Sequence, residues 1–344
     1  QVAIDQVIAR HESLRTTFPA QDGEPVQLIH ESLPVPLQVE TLASDEAALV
    51  QRLTEISKQP FDLHNGPLLR ANLIQTSDNE SVLSLCIHHI IYDAGSHGIL
   101  MQELSECYSA HREQRAATLR SMPIQFADYA AWEHEWMQGP DYQQQLRYWS
   151  KELSGAPNAL EFPTDFSRPP VQTSNGERFF YHLPDSLHRE LTHLGQKNSS
   201  TLFMVLLAAF DVLLARYSGQ DDIVVSVPIS GRKGSELENI VGFFLNTLPI
   251  RVQFEDQINF NTVLKQVRDK SLAAYANQEM PFGKLVEELA PERDTSRPPI
   301  AQMHFVLQHV DNPTDEFAGL AAEKIALSTN TTKFDMTLFA FEVG

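Results

Sequence analysis

The sequence predicts an α/β protein of two lobes with mixed sheets. Strand-like and helix-like segments alternate along all 344 residues, and several strand-to-strand steps carry no helix between them. A doubly wound parallel sheet needs a crossover at each step, so mixed sheets fit better. One stretch, "EFPTDFSRPPVQTSNGE" at 161–177, holds three prolines, a glycine and few apolar residues, and reads as a linker. It divides the chain into an N-terminal lobe at 1–165 and a C-terminal lobe at 166–344. With 42% hydrophobic residues, a chain of this length can fill more than one core.

Each element follows from local pattern. QVAIDQVIAR at 1–10 reads as a helix already under way, extending to about Leu14, with no capping residue ahead of it. Strands follow at 26–30 and 36–41, then a helix from Asp45 to Gln59. Strands at 68–75 and 82–91 lead into a helix at 98–110 with apolar positions Leu100, Leu104, Cys107 and Tyr108. Phe126, Tyr129, Trp132 and Trp136 fall at helical spacing in a helix at 126–137 and read as core; another helix covers 142–153. The second lobe reads as a strand at 178–183, helices at 185–197 and 202–217, strands at 223–228 and 248–254, a helix at 260–277, and strands at 303–308 and 336–343. A strand with nothing after it, like a helix with no cap before it, suggests a segment of a longer polypeptide.

Composition excludes several classes. The net charge is −19, with 11 basic against 23 acidic residues over 1–170 and 15 against 22 over 171–344. Neither half offers a basic face for nucleic acid or an anionic membrane. Cys86 and Cys107 lie in apolar patterns without metal-ligand spacing, which suits a reducing, cytoplasmic compartment. The longest apolar run, Leu202 to Phe210, is too short to span a bilayer. Gly242, Gly283 and Gly319 form no phosphate-cradling cluster, which argues against a nucleotide-dependent kinase, ligase or dehydrogenase. "GRKGSELEN" at 231–239 reads as a solvated loop.

Chemistry concentrates in "CIHHIIYDAGSHG" at 86–98. Adjacent strand residues point to opposite faces, so one of His88 and His89 is packed away and the other presented. For the same reason the two do not chelate one metal ion. Four extended steps from His89 to Asp93 span about 13 Å, too far for a direct pair. Asp93 is therefore expected to fix the turn that aims His89 by pairing with another residue, and Arg15 in "RHESLRTTF" is the candidate partner. Ser96, in "AGSHG", admits two readings: a cap of the following helix, or the nucleophile of a serine acyl hydrolase on a tight turn. Its hydroxyl could also help hold an oxyanion at the positive end of that helix.

These stretches resemble, in order, the signature blocks of the condensation domains of nonribosomal peptide synthetases: "RHESLRTTF" (10–18), "HHIIYDAGS" (88–96), "FADYAAW" (126–132), "IVGFFLNTLPIR" (240–251), "NQEMPFGKLVEEL" (277–289) and "RDTSRPPIAQMHFVLQ" (293–308). The resemblance implies two chloramphenicol-acetyltransferase-like lobes in a V around a central tunnel, with a block missing before Gln1 and the C-terminal lobe incomplete. It implies amide-bond formation between a thioester on an upstream carrier domain and the amine of an aminoacyl thioester on a downstream carrier, both on 4'-phosphopantetheine arms that the carriers supply. No cofactor or metal would be bound by the segment itself, and an adenylation domain would adjoin it. By resemblance His89 is the catalytic residue, as general base or amine-positioning group. His88, Asp93, Arg15 and Ser96 would support the active site, and Asn246 would line the substrate channel.

The pattern departs from the family at Ala94, where glycine is usual, and at Gly95, where tryptophan is usual. A lost tryptophan opens space beside the site, and alanine strains any turn needing positive φ. This motivates the competing reading of a catalytically degenerate docking domain. His88 in the first motif position argues against heterocyclising relatives, and Leu245–Asn246 after Phe244 against epimerising ones.

Overall fold

The computed structural model describes residues 1–42, 45–255, 259–289, 294–310, 316–327 and 330–343. Arg293, the first residue of the last signature block, lies outside them. The chain forms two compact units. One comprises Gln1–Glu135, Arg232–Leu245 and Pro313–Thr329; the other comprises Trp136–Gly231, Asn246–Asn312 and Asn330–Gly344.

The first unit holds a three-stranded mixed sheet. Strand β1 (Leu37–Thr41) runs parallel to β2 (Leu69–Gln75), with Leu37 opposite Ala71. Strand β2 pairs antiparallel with β3 (Ser81–Ile87), with Leu69 opposite Ile87. Helices α1 (Val2–Arg10) and α3 (Ala94–Arg112) pack on its apolar side through Ile4, Val7, Ile8, Leu100, Leu104 and the fully buried Cys107. Helix α2 (Glu46–Lys58) begins at Asp45, whose carboxylate accepts the Ala47 N–H at 3.0 Å. Leu53 and Ile56 of α2 bury against Ile74.

Helix α1 is shorter than the sequence suggests. It ends at Arg10, and a 3-10 turn covers Glu12–Arg15. The expected strand at 26–30 reduces to Leu28–Ile29, paired with Thr16–Thr17. Helix α4 (Phe126–Trp136) matches its expected span.

The second unit is built on a four-stranded mixed sheet. Labelled in chain order, its strands are β4 (Asp222–Ile229), β5 (Asn246–Gln253), β6 (Met303–Val310) and β7 (Met336–Val343), arranged β7-β6-β4-β5. Strand β6 is parallel to both β7 and β4, while β4 and β5 are antiparallel with Asp222 opposite Gln253. The remaining helices are α5 (Pro140–Glu152), α6 (Asp185–Lys197), α7 (Leu202–Ser218), α8 (Phe260–Ala276) and α9 (Phe282–Leu289). The apolar run of α7 supplies Val205, Leu207, Ala208 and Leu214 to the core, between a Thr201 cap and Gly219 in the left-handed region at φ 71°. No single helix among the described residues is long and apolar enough to cross a membrane.

One further expectation is corrected here. Residues 178–183 form no strand: Phe179, Phe180 and Tyr181 are 85–91% exposed, and no ladder partner lies beside them among the described residues. Three consecutive aromatics lack the period of two that would bury one face. The stretch 161–177, read from the sequence as a linker, lies within the second unit and is hydrogen-bonded to it. Arg168 donates to the Ser296 carbonyl and pairs with Asp335. The Gln172 N–H reaches Thr295 at 2.9 Å, and Gly176 reaches Asn330 at 2.9 Å.

Candidate active site

Strand β3 stops at Ile87 rather than running on to Ile91, because His88 starts a turn. Its Nδ1 accepts the Ile90 N–H at 3.1 Å, opening a 3-10 turn over His89–Ile91. The half-buried His88 ring lies edge-on to Phe61, with centroids 5.8 Å apart. His89 is exposed, as expected for a strand end that presents one histidine and packs the other. The His89 Nδ1 lies 2.6 Å from the Tyr92 carbonyl oxygen. A carbonyl only accepts, so Nδ1 carries a hydrogen, and in the neutral ring Nε2 keeps its lone pair. Phe243 stands edge-on to the imidazole at 5.2 Å and 84°.

The turn is fixed by Asp93, which is 2% exposed. Its Oδ1 accepts the Ser96 N–H at 2.8 Å, capping α3, and its Oδ2 accepts the Phe244 N–H at 2.9 Å. The cation beside it is Arg232, not Arg15: Arg232 Nη2 donates to Asp93 Oδ1 at 2.9 Å. Arg15 is committed elsewhere, donating to the His30 carbonyl at 2.5 Å and lying 3.6 Å from Glu12. Arg232 lies in the loop that the sequence suggested was solvated. It is buried because its Nη1 also satisfies the Leu237 and Ile240 carbonyls at 2.8 and 2.7 Å, and its guanidinium carbon sits 4.2 Å from the Phe244 ring centroid.

Ser96 is fully buried. Its hydroxyl hydrogen faces Asp93 Oδ1 at 2.8 Å and the Gly242 carbonyl at 2.9 Å, while its oxygen accepts from Arg232 at 3.0 Å and the Gly242 N–H at 3.1 Å. A hydroxyl so enclosed cannot reach a substrate carbonyl. It joins α3 to the segment 241–244.

That segment is held from a second side. The Val241 carbonyl accepts the Ser13 hydroxyl at 2.6 Å, and the Val241 N–H points to His11 Nδ1 at 3.4 Å. His11 Nε2 and Arg10 Nε both engage Glu103, at 2.8 and 3.0 Å. Burial alone would raise the Glu103 carboxyl, but His11 and Arg10 outweigh it and hold the group below its ordinary value. The aromatics of α4 stand behind the segment, with Phe126 and Tyr129 at 5.1 and 4.8 Å from Phe244. They form a half-buried shell rather than a sealed core: Trp132 is 49% exposed.

The departures from the family pattern fit this geometry. Ala94 opens α3 and is not among the positive-φ residues, so the missing glycine brings no backbone strain. At Gly95, a Cβ would lie 2.8 Å from Arg232 Nε, so the bare backbone leaves room for the guanidinium.

Asn246 belongs to the other unit. Its amide donates to the Gln278 and Met280 carbonyls at 3.0 and 2.8 Å, and its oxygen accepts the Thr247 and Phe282 N–H groups, each at 2.9 Å. Three of these four contacts hold the backbone that leads into α9, and the fourth ties the side chain to its own strand.

Sequence reasoning thus identified the histidine turn and its carboxylate but missed Arg232, Gly242 and Phe243. The available signal was the block "IVGFFLNTLPIR"; nothing local to Arg232 marks it as buried.

The two-unit α/β fold with mixed sheets carries a His-His-x-x-x-Asp turn at the end of β3, which places it in the class of condensation-type domains. A family model for the condensation domain matches residues 1–344, and the chain belongs to that family, the amide-bond-forming acyltransferases of nonribosomal peptide synthetases. It is 40% identical to tyrocidine synthase 3 of Brevibacillus parabrevis over 99% of its own length and 5% of that protein's. It is 39% identical to a chondramide synthase of Chondromyces crocatus over 100% of its own length and 9% of that protein's. The chain therefore spans less than a tenth of these curated relatives. Among solved structures it is similar to a complex of the X-domain and OxyB from teicoplanin biosynthesis, with TM-score 0.91 and 28% identity, covering 99% of this chain and 75% of that one. It shares its fold with a holo four-domain nonribosomal peptide synthetase bound to AMP and glycine, with TM-score 0.85 and 24% identity over 99% of this chain and 27% of the other.

Proposed function

We propose that this domain joins an aminoacyl or peptidyl thioester on an upstream carrier to the amine of an aminoacyl thioester on a downstream carrier, with His89 as the catalytic residue. Both thioesters end phosphopantetheine arms that belong to the carriers and enter as substrates. The observation that carries the reading is the Nδ1–H bond from His89 to the Tyr92 carbonyl, which leaves an exposed Nε2 lone pair.

Nε2 accepts the N–H of the incoming amine and keeps its nitrogen lone pair free for attack. The C–N bond forms, the thioester carbonyl becomes an oxyanion, and the C–S bond breaks. The proton lost by the amine is balanced by the one gained by the departing thiolate, and His89 lies in position to pass it. The reaction needs no nucleotide, because thioester cleavage drives it. Holding both reactive groups at one imidazole also accelerates the reaction by proximity.

Asp93, Arg232 and Ser96 hold the turn, and His88 packs behind it. Asn246 acts on any substrate passage through the backbone it fixes at 278–282. The partners that fit are the two carriers and an adjoining adenylation domain, in the cytoplasm. A docking role, as for the X-domain in complex with OxyB, is the alternative, and the strain-free Ala94 and fully bonded Asp93 argue against it.

The test supplies two aminoacyl-loaded carriers and follows dipeptide release by mass spectrometry. His89→Ala should lower the rate by about 10²–10⁴-fold. Equal rates for wild type and His89→Ala would leave only the docking reading.

A further inference from the structure

Something must set the direction of the Tyr92 carbonyl, because that oxygen selects the His89 tautomer. A peptide group is planar, so its carbonyl can swing only about the bonds at its two ends. The Asp93 end is immobilised by the contacts to Ser96, Phe244 and Arg232. On the Tyr92 side, the backbone N–H makes only a long 3.4 Å contact with the His89 carbonyl. What remains is the Tyr92 side chain. Its hydroxyl lies 3.1 Å from Nδ1 of His97, five residues on and in the first turn of α3. Tyr92 is half-buried and His97 exposed.

We infer that Tyr92 and His97 are positioning residues for His89: the phenol donates to His97 Nδ1, ties the histidine turn to α3, and thereby aims the Tyr92 carbonyl at His89 Nδ1. Burial, and next the nearby Asp93 carboxylate, push the Tyr92 phenol far above its ordinary value, so it remains a donor throughout the working pH range. Tyr92 occupies one of the unspecified positions of the His-His-x-x-x-Asp block, and His97 lies just beyond it. The brace is therefore a property of this chain rather than of the block's fixed letters. A free imidazole prefers its hydrogen on Nε2, the tautomer that would spend the wrong nitrogen here. An aimed carbonyl reverses that preference.

The inference rests on the proposed role of His89 for its kinetic consequence, but its structural half is read without substrates. In ¹⁵N-histidine-labelled protein, with His89 assigned by comparison with His89→Ala, the wild type should show Nδ1–H. Tyr92→Phe and His97→Ala should each move His89 toward a mixture with Nε2–H. In the two-carrier assay each should lower kcat about tenfold with KM unchanged. The double variant should lose no more than either single one. His97→Asn, whose Oδ1 falls near the place of Nδ1, should restore both signals. His97 is on the surface, so its replacement leaves the fold intact and stands as the control if Tyr92→Phe is unstable. An unchanged tautomer in both single variants, or additive losses in the double variant, overturns the inference. If the tautomer shifts while His89→Ala retains activity, the brace stands and the amide-forming role of His89 fails.

Discussion

Asp93 and Arg232, 139 residues apart in sequence, meet at 2.9 Å just after the turn that carries the exposed His89. Their side chains are 2% and 9% exposed, so the pair is shielded from water and each charge depends on the other. Arg232→Ala should destabilise the domain by about 3–5 kcal/mol, because Asp93 is left buried without its cation. Arg15→Ala should cost clearly less. Urea unfolding of the two variants side by side checks this, and equal losses would return Arg15 to the role the sequence suggested.

Ser96→Ala tests whether the serine is structural. Removing its hydroxyl strips partners from the Gly242 N–H and carbonyl together. A loss of about 1–3 kcal/mol is expected. A fluorophosphonate probe should leave wild-type protein unlabelled. Stoichiometric labelling that disappears in Ser96→Ala would establish a nucleophile.

Gly242 is needed for lack of space rather than for a special backbone angle. A Cβ there would fall 2.4 Å from Phe126 Cδ2, and Ser96 holds both backbone polar groups so the chain cannot retreat. Gly242→Ala should lower stability by about 1–3 kcal/mol through overpacking. Gly283→Ala, inside α9 with nothing within 4 Å of the new atom, should raise it by about 0.5–1 kcal/mol. Thermal melts of the two variants should therefore shift in opposite directions.

His304 gives the second unit an acid sensitivity of its own. Burial, and next the Lys333 charge, lower its imidazole to about 4, only partly offset by Ser226, and it stacks on Phe334 at 4.3 Å. In the unfolded chain the same ring takes up a proton near pH 6.5. Between those values the unfolded state binds more protons, so stability falls as pH drops from about 6.5 toward 4. His304→Gln should remove about 2–3 kcal/mol of that acid-dependent loss. Parallel stability curves for wild type and variant between pH 7.5 and 4.5 would contradict this.

What the sequence made legible were features with local causes. Asp45 announces α2 because a carboxylate before a helical run caps it, and the run Leu202–Phe210 announces a buried helix through its lack of a polar face. His89 and Asp93 were legible because strand geometry alone excluded a direct pair and demanded a bend. What stayed hidden depended on distant partners. Arg232 sits among lysine, glutamate and glycine, the ordinary composition of a surface loop, and only folding brings two carbonyls, Asp93 and Phe244 to it. Residues 178–183 carry strand-forming types, but a strand exists only where a neighbour completes its ladder. The prolines of 161–177 do break regular structure, yet the breaks expose backbone groups that residues 294–302 and 330–335 then satisfy.

The loop that carries Arg232, Gly242 and Phe244 lies in the chain between β4 and β5, strands of the second unit, while its residues belong to the first. As the polypeptide leaves the ribosome, the histidine turn is therefore written long before the cation that pairs with Asp93. A fragment ending at Glu135 would keep the Tyr92–His97 contact but leave the Asp93 carboxylate without its cation, and expressing the first unit as one uninterrupted stretch would yield a domain lacking its own keystone.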